Sequence, residues 1–211
     1  MCSSDLLVVI KGLLYWQDSN RYYSQENNPE EEEFKKLGLK SWLQTCGPTA
    51  MINILDNMGH DVRIITPGGW KPQPESTLTD FFNDSRNYTK FKEIRPNLNP
   101  ASLMANMVPQ YYPYAIEQLF GVKGLFSWGC TWTTVTKLIS EGTGVMICLS
   151  EPGHYVAPIA YDAEKNELIY NDPWKGNKWP ASQAGKPGYA RRMKQAEFEG
   201  NTESYRIEVY K

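Results

Sequence analysis

The chain has 211 residues, a length that suits one domain with a full-sized core rather than two independent domains. Its 22 basic and 24 acidic residues give a net charge of −2, so no electrostatic surplus points to nucleic acid or an anionic membrane as a partner. No stretch approaches the roughly 20 apolar residues that a membrane-spanning helix needs, so no integral membrane segment is expected.

The cysteines and histidines limit the kinds of site that the chain can build. Cysteines lie at positions 2, 46, 130 and 148, a spacing that fits neither a zinc site nor a dense disulfide framework, so reduced thiols are expected. We expect Cys130 and Cys148 to be buried core thiols. The only histidines are His60, expected in a solvated turn, and His154, so a histidine-rich metal centre is nearly excluded. Neither a metal ion nor a cofactor is predicted.

The N-terminal residues 1–21 are interpreted as a segment ahead of the domain, which we place at residues 22–211. The apolar run near the start follows no basic residue and precedes no small-residue cleavage site, so no signal peptide is predicted. A cytoplasmic protein, or one released to the cell wall, is therefore expected. Residues 2–6, CSSDL, also match the translation of a common sequencing adapter, which suggests that residues 1–6 are an artefact.

The predicted elements of the first two thirds are mainly helices. Met51, Ile54 and Leu55 recur at helical spacing before Gly59, which predicts a helix over residues 47–58. Two glycines and three prolines within residues 66–75 predict a loop. Short helices are predicted over residues 77–84, 100–107 and 113–120.

The last third of the chain changes to strand patterns. Residues 133–142 predict one more helix, which Gly142 ends. Apolar or alternating runs then predict strands over residues 144–150, 155–161, 167–172 and 206–210. Helices followed by antiparallel strands define an α+β class, with an N-terminal helical part packed on a C-terminal antiparallel sheet.

Cys46 stands at the start of the first predicted helix. A cysteine is an effective nucleophile only as the thiolate, and a helix N-terminus or an imidazolium lowers its pKa from about 8.5. Cys46 has the first of these by position, and Gly47 would let a substrate approach the backbone closely. The alternative is a buried structural thiol, because cysteine is among the most buried residue types.

His154 begins one predicted strand directly after Gly153, and a second strand ends at Asn171 and Asp172. A thiolate nucleophile needs an imidazole to hold the proton and an acidic or amide side chain to orient the ring. Strict pairing of the two strands would put Asn171 on the same face as His154. A bulge, which Pro158 favours, would put Asp172 there instead.

Three stretches, TCGPTAMINIL, TVTKLISEGTGVMICLS and GHYVAPIAYD…NDPW, together resemble the papain-fold cysteine peptidases related to bacteriocin-processing, double-glycine leader peptidases. The resemblance covers residues 22–175 and implies a papain-like cysteine peptidase fold. In that family the aspartate of a DP pair orients the histidine, so the resemblance selects Asp172. A glutamine ahead of the cysteine donates to the oxyanion. The resemblance of YYSQENN to that motif favours Gln25, with Gln44 as the alternative.

Tryptophans surround the predicted site. Trp128 and Trp132 flank Cys130 and either line a cleft or enclose a core thiol. We assign Trp128 and Trp174 to substrate binding, together with the two glycines beside Cys46 and His154. One of Trp174 and Trp179 is expected to shield the hydrogen bond between histidine and aspartate from water.

The resemblance implies a cysteine peptidase in which Cys46 attacks a carbonyl, His154 transfers the proton and Asp172 orients the imidazole. The substrate that it implies is a peptide, a protein segment or the stem peptide of peptidoglycan. Peptidoglycan is included because stand-alone relatives often look like phage or bacterial lysins. The alternatives are leader processing, acyl transfer to an amine in a crosslinking enzyme, and a non-catalytic binding module. The oligomeric state is not predicted.

Overall fold

The computed structural model describes residues 7–10, 13–16, 22–27, 45–63, 65–66, 69–70, 74–99, 105–151 and 153–211. Six α-helices form within these residues: α1 (Cys46–Asn57), α2 (Pro74–Asn83), α3 (Tyr88–Ile94), α4 (Tyr112–Phe120), α5 (Trp132–Ser140) and α6 (Gln195–Asn201). The strands are β1 (Leu7–Ile10), β2 (Leu13–Trp16), β3 (Ile65–Thr66), β4 (Gly69–Trp70), β5 (Gly124–Trp128), β6 (Gly144–Leu149), β7 (His154–Asp162), β8 (Glu167–Asn171), β9 (Arg191–Lys194) and β10 (Thr202–Val209).

The main sheet has six strands in the order β5-β10-β6-β7-β8-β9, and every neighbouring pair is antiparallel. The remaining described strands form two small hairpins, β1-β2 and β3-β4. Helices and an antiparallel sheet together confirm the α+β class. Among the described helices, none is both long and apolar enough to cross a membrane.

A hydrophobic core lies on each face of the main sheet. Strand β6 is buried along its whole length and divides its side chains between them. Met146 and Cys148 enter the larger core, whereas Val145, Ile147 and Leu149 enter the smaller one, as the alternation of a strand requires. Helix α1 packs over β6 and β7 on the larger-core side, and α5 packs on the same strands in the smaller core. Helices from the C-terminal half therefore also cover the sheet.

Several predicted elements are confirmed with small shifts in their bounds. The helix predicted over residues 47–58 is α1, and the one predicted over 113–120 is α4. Gly121 ends α4 in the left-handed conformation, with a φ of 67°, which glycine adopts at little cost. The helix predicted over 133–142 is α5, and the four predicted strands correspond to β6, β7, β8 and β10.

Other elements differ from the prediction. The predicted loop over residues 66–75 contains part of the β3-β4 hairpin, and α2 begins at Pro74, three residues earlier than predicted, because proline suits a first helical turn. Of the helix predicted over 100–107, residues 105–107 form a 3₁₀ turn, and residues 100–104 lie outside the described residues. Sequence patterns did not predict the strands β1, β2, β5 and β9 or the helices α3 and α6.

Candidate active site

Cys46 is the first residue of α1, and its side chain is almost fully buried, at 2% exposure. The preceding Thr45 makes no side-chain cap, and the amide of Gly47 hydrogen-bonds the Cys46 sulfur instead. Burial on its own raises the pKa of the Cys46 thiol. The hydrogen bond and charge of His154, with backbone hydrogen bonds from Tyr155 and Gly47, more than offset burial, so the pKa lies below its ordinary value.

His154 is the first residue of β7 and is also buried. Its Nε2 lies 2.7 Å from Oδ1 of Asp172, and the ring also hydrogen-bonds Cys46, which leaves Nδ1 for the sulfur. Burial lowers the pKa of His154, but the hydrogen bonds to Asp172 and Cys46 raise it to about 9. With the pKa of the thiol lowered and that of the imidazole raised, the pair favours thiolate and imidazolium near neutral pH.

The carboxylate of Asp172 is fully buried and accepts four hydrogen bonds. Its Oδ1 accepts from His154 and, at 2.9 Å, from the backbone N–H of Trp174. Its Oδ2 accepts from the amide of Asn177 at 3.0 Å and from Nη1 of Arg191 at 2.7 Å. Both oxygens therefore have two donors, and the orientation of the carboxylate towards the imidazole is fixed.

A β-bulge decides which side chain faces His154. The pairing of β7 with β8 shifts by one residue between Pro158 and Ala160. Because side chains alternate along a strand, this shift moves Asp172, rather than Asn171, to the side from which His154 projects. The amide of Asn171 is engaged elsewhere, with α1 and with the backbone ahead of β9.

The N-terminal segment 22–27 lies between α1 and the turn after β8. The backbone N–H of Gln25 donates to the Pro173 carbonyl at 2.9 Å, and the Asn53 amide of α1 bonds both the N–H and the carbonyl of Tyr23. The side chain of Gln25 is buried, and its Oε1 has no hydrogen-bond partner among the residues that the structure describes. Gln44, the alternative oxyanion donor, lies outside the described residues.

The structure gives a packing reason for Gly47 and a backbone reason for Gly153. A Cβ atom at Gly47 would lie 2.1 Å from the hydroxyl oxygen of Tyr112, so the tyrosine can occupy its place beside α1 only while position 47 is glycine. Gly153 has a φ of 75°, which favours glycine, and a Cβ there would meet nothing within 4 Å. Contact of substrate with either glycine stays a prediction.

The tryptophans occupy different surroundings. The ring of Trp174 packs edge-on against that of His154, with centroids 6.1 Å apart, whereas Trp179 packs against the smaller core. Trp174 is therefore the tryptophan that covers the imidazole. Trp128, at the end of β5, is 67% exposed and contacts the ring of Tyr205.

The other described thiols and the second histidine have no comparable partner. Cys130 and Cys148 are buried, as predicted, and burial raises the pKa of Cys130 to about 12 and that of Cys148 to about 11. Trp132 lies in the smaller core beside Cys130 and not in a cleft. His60 is half-buried rather than solvated, and burial lowers its pKa.

Three residues around Asp172 were missed from the sequence. Arg191 and Asn177 bond its carboxylate, and Tyr22 donates its hydroxyl to the Asp172 carbonyl at 2.6 Å. A strand over the run RRMK would place Arg191 and Met193 on one face, but three charged residues in four do not mark this run as a strand. The asparagine and tyrosine carried no comparable pattern.

The model of the Peptidase_C39 like family matches residues 18–197, a range that includes Gln25, Cys46, His154, Asp172 and Arg191 and excludes β1, β2 and β10. The chain belongs to the Peptidase_C39 like family, and this confirms the resemblance to the bacteriocin-processing peptidases. A search of curated proteins found no match. Membership supports a cysteine peptidase with a peptide or protein substrate.

Proposed function

We propose that the chain is a papain-like cysteine peptidase that hydrolyses peptide bonds through Cys46, His154 and Asp172. The observation that carries the proposal is the buried series of hydrogen bonds from the Cys46 sulfur through the His154 imidazole to the Asp172 carboxylate. The pKa shifts of the first two groups favour the charged nucleophile that this chemistry needs.

In this reaction the Cys46 thiolate attacks the carbonyl carbon of the scissile bond. The His154 imidazolium gives its proton to the leaving amine, which forms the acyl-enzyme, and the neutral imidazole then takes a proton from the attacking water. Asp172 holds the ring and stabilises its positive charge. The backbone N–H of Cys46 and the amide of Gln25 are the proposed donors to the oxyanion.

Substrate contacts are proposed along the aromatic surface beside the site. The exposed ring of Trp128 contacts Tyr205, whose hydroxyl lies 3.1 Å from that of Tyr155, the residue after His154. An extended peptide is proposed to contact this surface and also Trp174, whose ring packs edge-on against the imidazole of His154. The finer proposal is that this peptide is an unstructured protein segment or the stem peptide of bacterial peptidoglycan, as in a lysin.

The test is digestion of a denatured protein and of purified peptidoglycan by the same preparation, with Cys46→Ala as the inactive control. New amino termini should appear in at least one substrate and be absent with the control variant. An added amine should leave the products unchanged, because water is the proposed acceptor. Cleavage that persists in Cys46→Ala, or no cleavage of either substrate, contradicts the proposal.

A further inference from the structure

We propose that Arg191 is a positioning residue of this site: its buried guanidinium fixes the Asp172 carboxylate and ties the following loop in place, so that His154 faces Cys46. The inference rests on the proposed peptidase function. Arg191 is 1% exposed and acts on the site through Asp172 and the loop that follows it.

Every hydrogen-bond donor of the Arg191 guanidinium is paired. Arg191 is 1% exposed, and each of its five N–H groups has an acceptor within 3.0 Å. The acceptors are Oδ2 of Asp172 and the backbone carbonyls of Pro187, Asn177, Lys175 and Lys186. A planar fork with five donors suits this set, whereas a lysine has only three donors and cannot satisfy it.

The backbone carbonyls that accept from Arg191 lie in one loop beside the site. They belong to residues 175–187, the loop between β8 and β9, and this loop also supplies the Asn177 amide that bonds Asp172. Trp174, which covers the imidazole, precedes the loop directly. The side chain of Arg191 therefore fixes the loop and the Asp172 carboxylate, and with them the position of Trp174 over the imidazole.

The charge of the guanidinium has a separate effect. Its Nη1 donates a charge-assisted hydrogen bond to Oδ2 of Asp172 at 2.7 Å, and without this bond the carboxylate would orient and stabilise the His154 imidazolium less well. If the charged form of His154 is less stable, it in turn stabilises the Cys46 thiolate less. Loss of the Arg191 charge should therefore raise the pH at which the thiol of Cys46 becomes reactive.

The titratable side chains around Asp172 and Arg191 allow the effect of the Arg191 charge on the Cys46 thiol to be measured separately. Besides His154, the titratable side chains that face Asp172 and Arg191 within the described part of the chain are the phenols of Tyr22 and Tyr170. Burial raises the pKa of both phenols well above the ordinary value, so they stay neutral through the pH range of an assay. A shift in the reactivity of the thiol is therefore due to Asp172, His154 and the thiol itself.

The experiment measures the pH dependence of iodoacetamide alkylation at Cys46, together with peptidase activity, in the full chain and in Arg191→Met, Arg191→Lys and Arg192→Met. Arg192 is the matched control, because it is the next arginine of β9 and pairs instead with Asp162 and Glu167 near the surface. In Arg191→Met the midpoint of alkylation should rise by about one pH unit or more. The midpoint should stay near the wild-type value in Arg191→Lys, which keeps the charge, and in Arg192→Met.

A folded Arg191→Met protein with the wild-type midpoint overturns the inference. If Arg191→Met does not fold, Arg191→Lys decides: its activity should fall about tenfold because the carbonyls of the loop lose donors, and wild-type activity would overturn the inference. A wild-type chain with neither peptidase activity nor rapid alkylation contradicts the proposed function instead. The two failures are therefore distinguishable.

Discussion

Cys46 and His154 shift each other's pKa in opposite directions, and this coupling predicts the pH dependence of the activity. The reactive form needs an ionised thiol, whose pKa is lowered below its ordinary value, and a protonated imidazole, whose pKa is raised to about 9. The peptidase kcat/KM should therefore rise with pH as the thiol ionises and fall again as pH passes about 9. Initial rates with a fluorogenic peptide from pH 4 to 11 measure both the rise and the fall. A rate that keeps rising above about pH 9 contradicts the coupling.

Asp172 is predicted to affect both catalysis and stability. In Asp172→Asn the amide still fits, but the buried Arg191 loses its counter-charge, which should lower the free energy of unfolding by about 3–5 kcal/mol. The imidazole also loses its partner, so activity should fall by about 10³-fold or more. Denaturant titration and peptidase rates measure the two effects.

The control for that substitution is Asp162→Asn, which removes a carboxylate paired with the half-exposed Arg192. It should cost about 1 kcal/mol or less, because solvent screens such pairs. Equal losses in the two variants would show that the burial of Asp172 has no special effect.

The identity of the residue that orients His154 could not be decided from the residues alone. The choice between Asn171 and Asp172 depends on one extra residue in β7, and a bulge is a property of the backbone that side-chain periodicity does not report. The pairing of Asp172 with Arg191, 19 positions later, was equally hidden, because β9 was not predicted. Cys46 and His154 were predictable because each has a local sequence signal: Cys46 begins a helix, and His154 begins a strand.

At the scale of elements, the side chain of Tyr112 at the start of α4 can reach α1 because Gly47 has no side chain. Gly47→Ala should lower the free energy of unfolding by about 1–3 kcal/mol, since its Cβ would overlap the Tyr112 hydroxyl. Combining it with Tyr112→Phe should recover part of that loss, because the next nearest atoms lie 3.1 Å or more away. A double-mutant cycle by denaturant unfolding measures this coupling.

The control for the cycle is Gly200→Ala in α6, where a Cβ would meet nothing within 4 Å. It should leave stability unchanged or slightly increased, because alanine favours a helix. Additive effects of Gly47→Ala and Tyr112→Phe would contradict the packing explanation for glycine at position 47.

Two of the elements that sequence patterns missed, α3 and β9, lack a visible apolar pattern. In α3 only Phe91 is buried, so no apolar stripe marks the helix. Strand β9 consists of RRMK, and its charges hide a strand in which Arg191 and Met193 are buried. Helix α1 was predictable because ten of its twelve residues are buried and its apolar positions repeat at helical spacing.

At the scale of the whole molecule, the site combines distant parts of the chain. Helix α1 supplies the thiol, β7 the imidazole, and the turn after β8 the carboxylate, so the low pKa of the thiol exists only in the folded protein. In concentrated denaturant Cys46 should alkylate no faster than Cys130 or Cys148, because all three then have the ordinary thiol pKa. Peptide mapping after alkylation at neutral pH measures the three rates, and a persistent preference for Cys46 in denaturant would assign its reactivity to local sequence.

The central claim is that His154 holds the thiol of Cys46 as a nucleophilic thiolate, and alkylation of the folded protein near neutral pH tests it most directly. Mass spectrometry should find one rapid modification at Cys46 in the wild type and in the His60→Ala control, and a loss of the rapid phase in His154→Ala. Equal alkylation rates at Cys46 in the wild type and in a folded His154→Ala protein would contradict the claim.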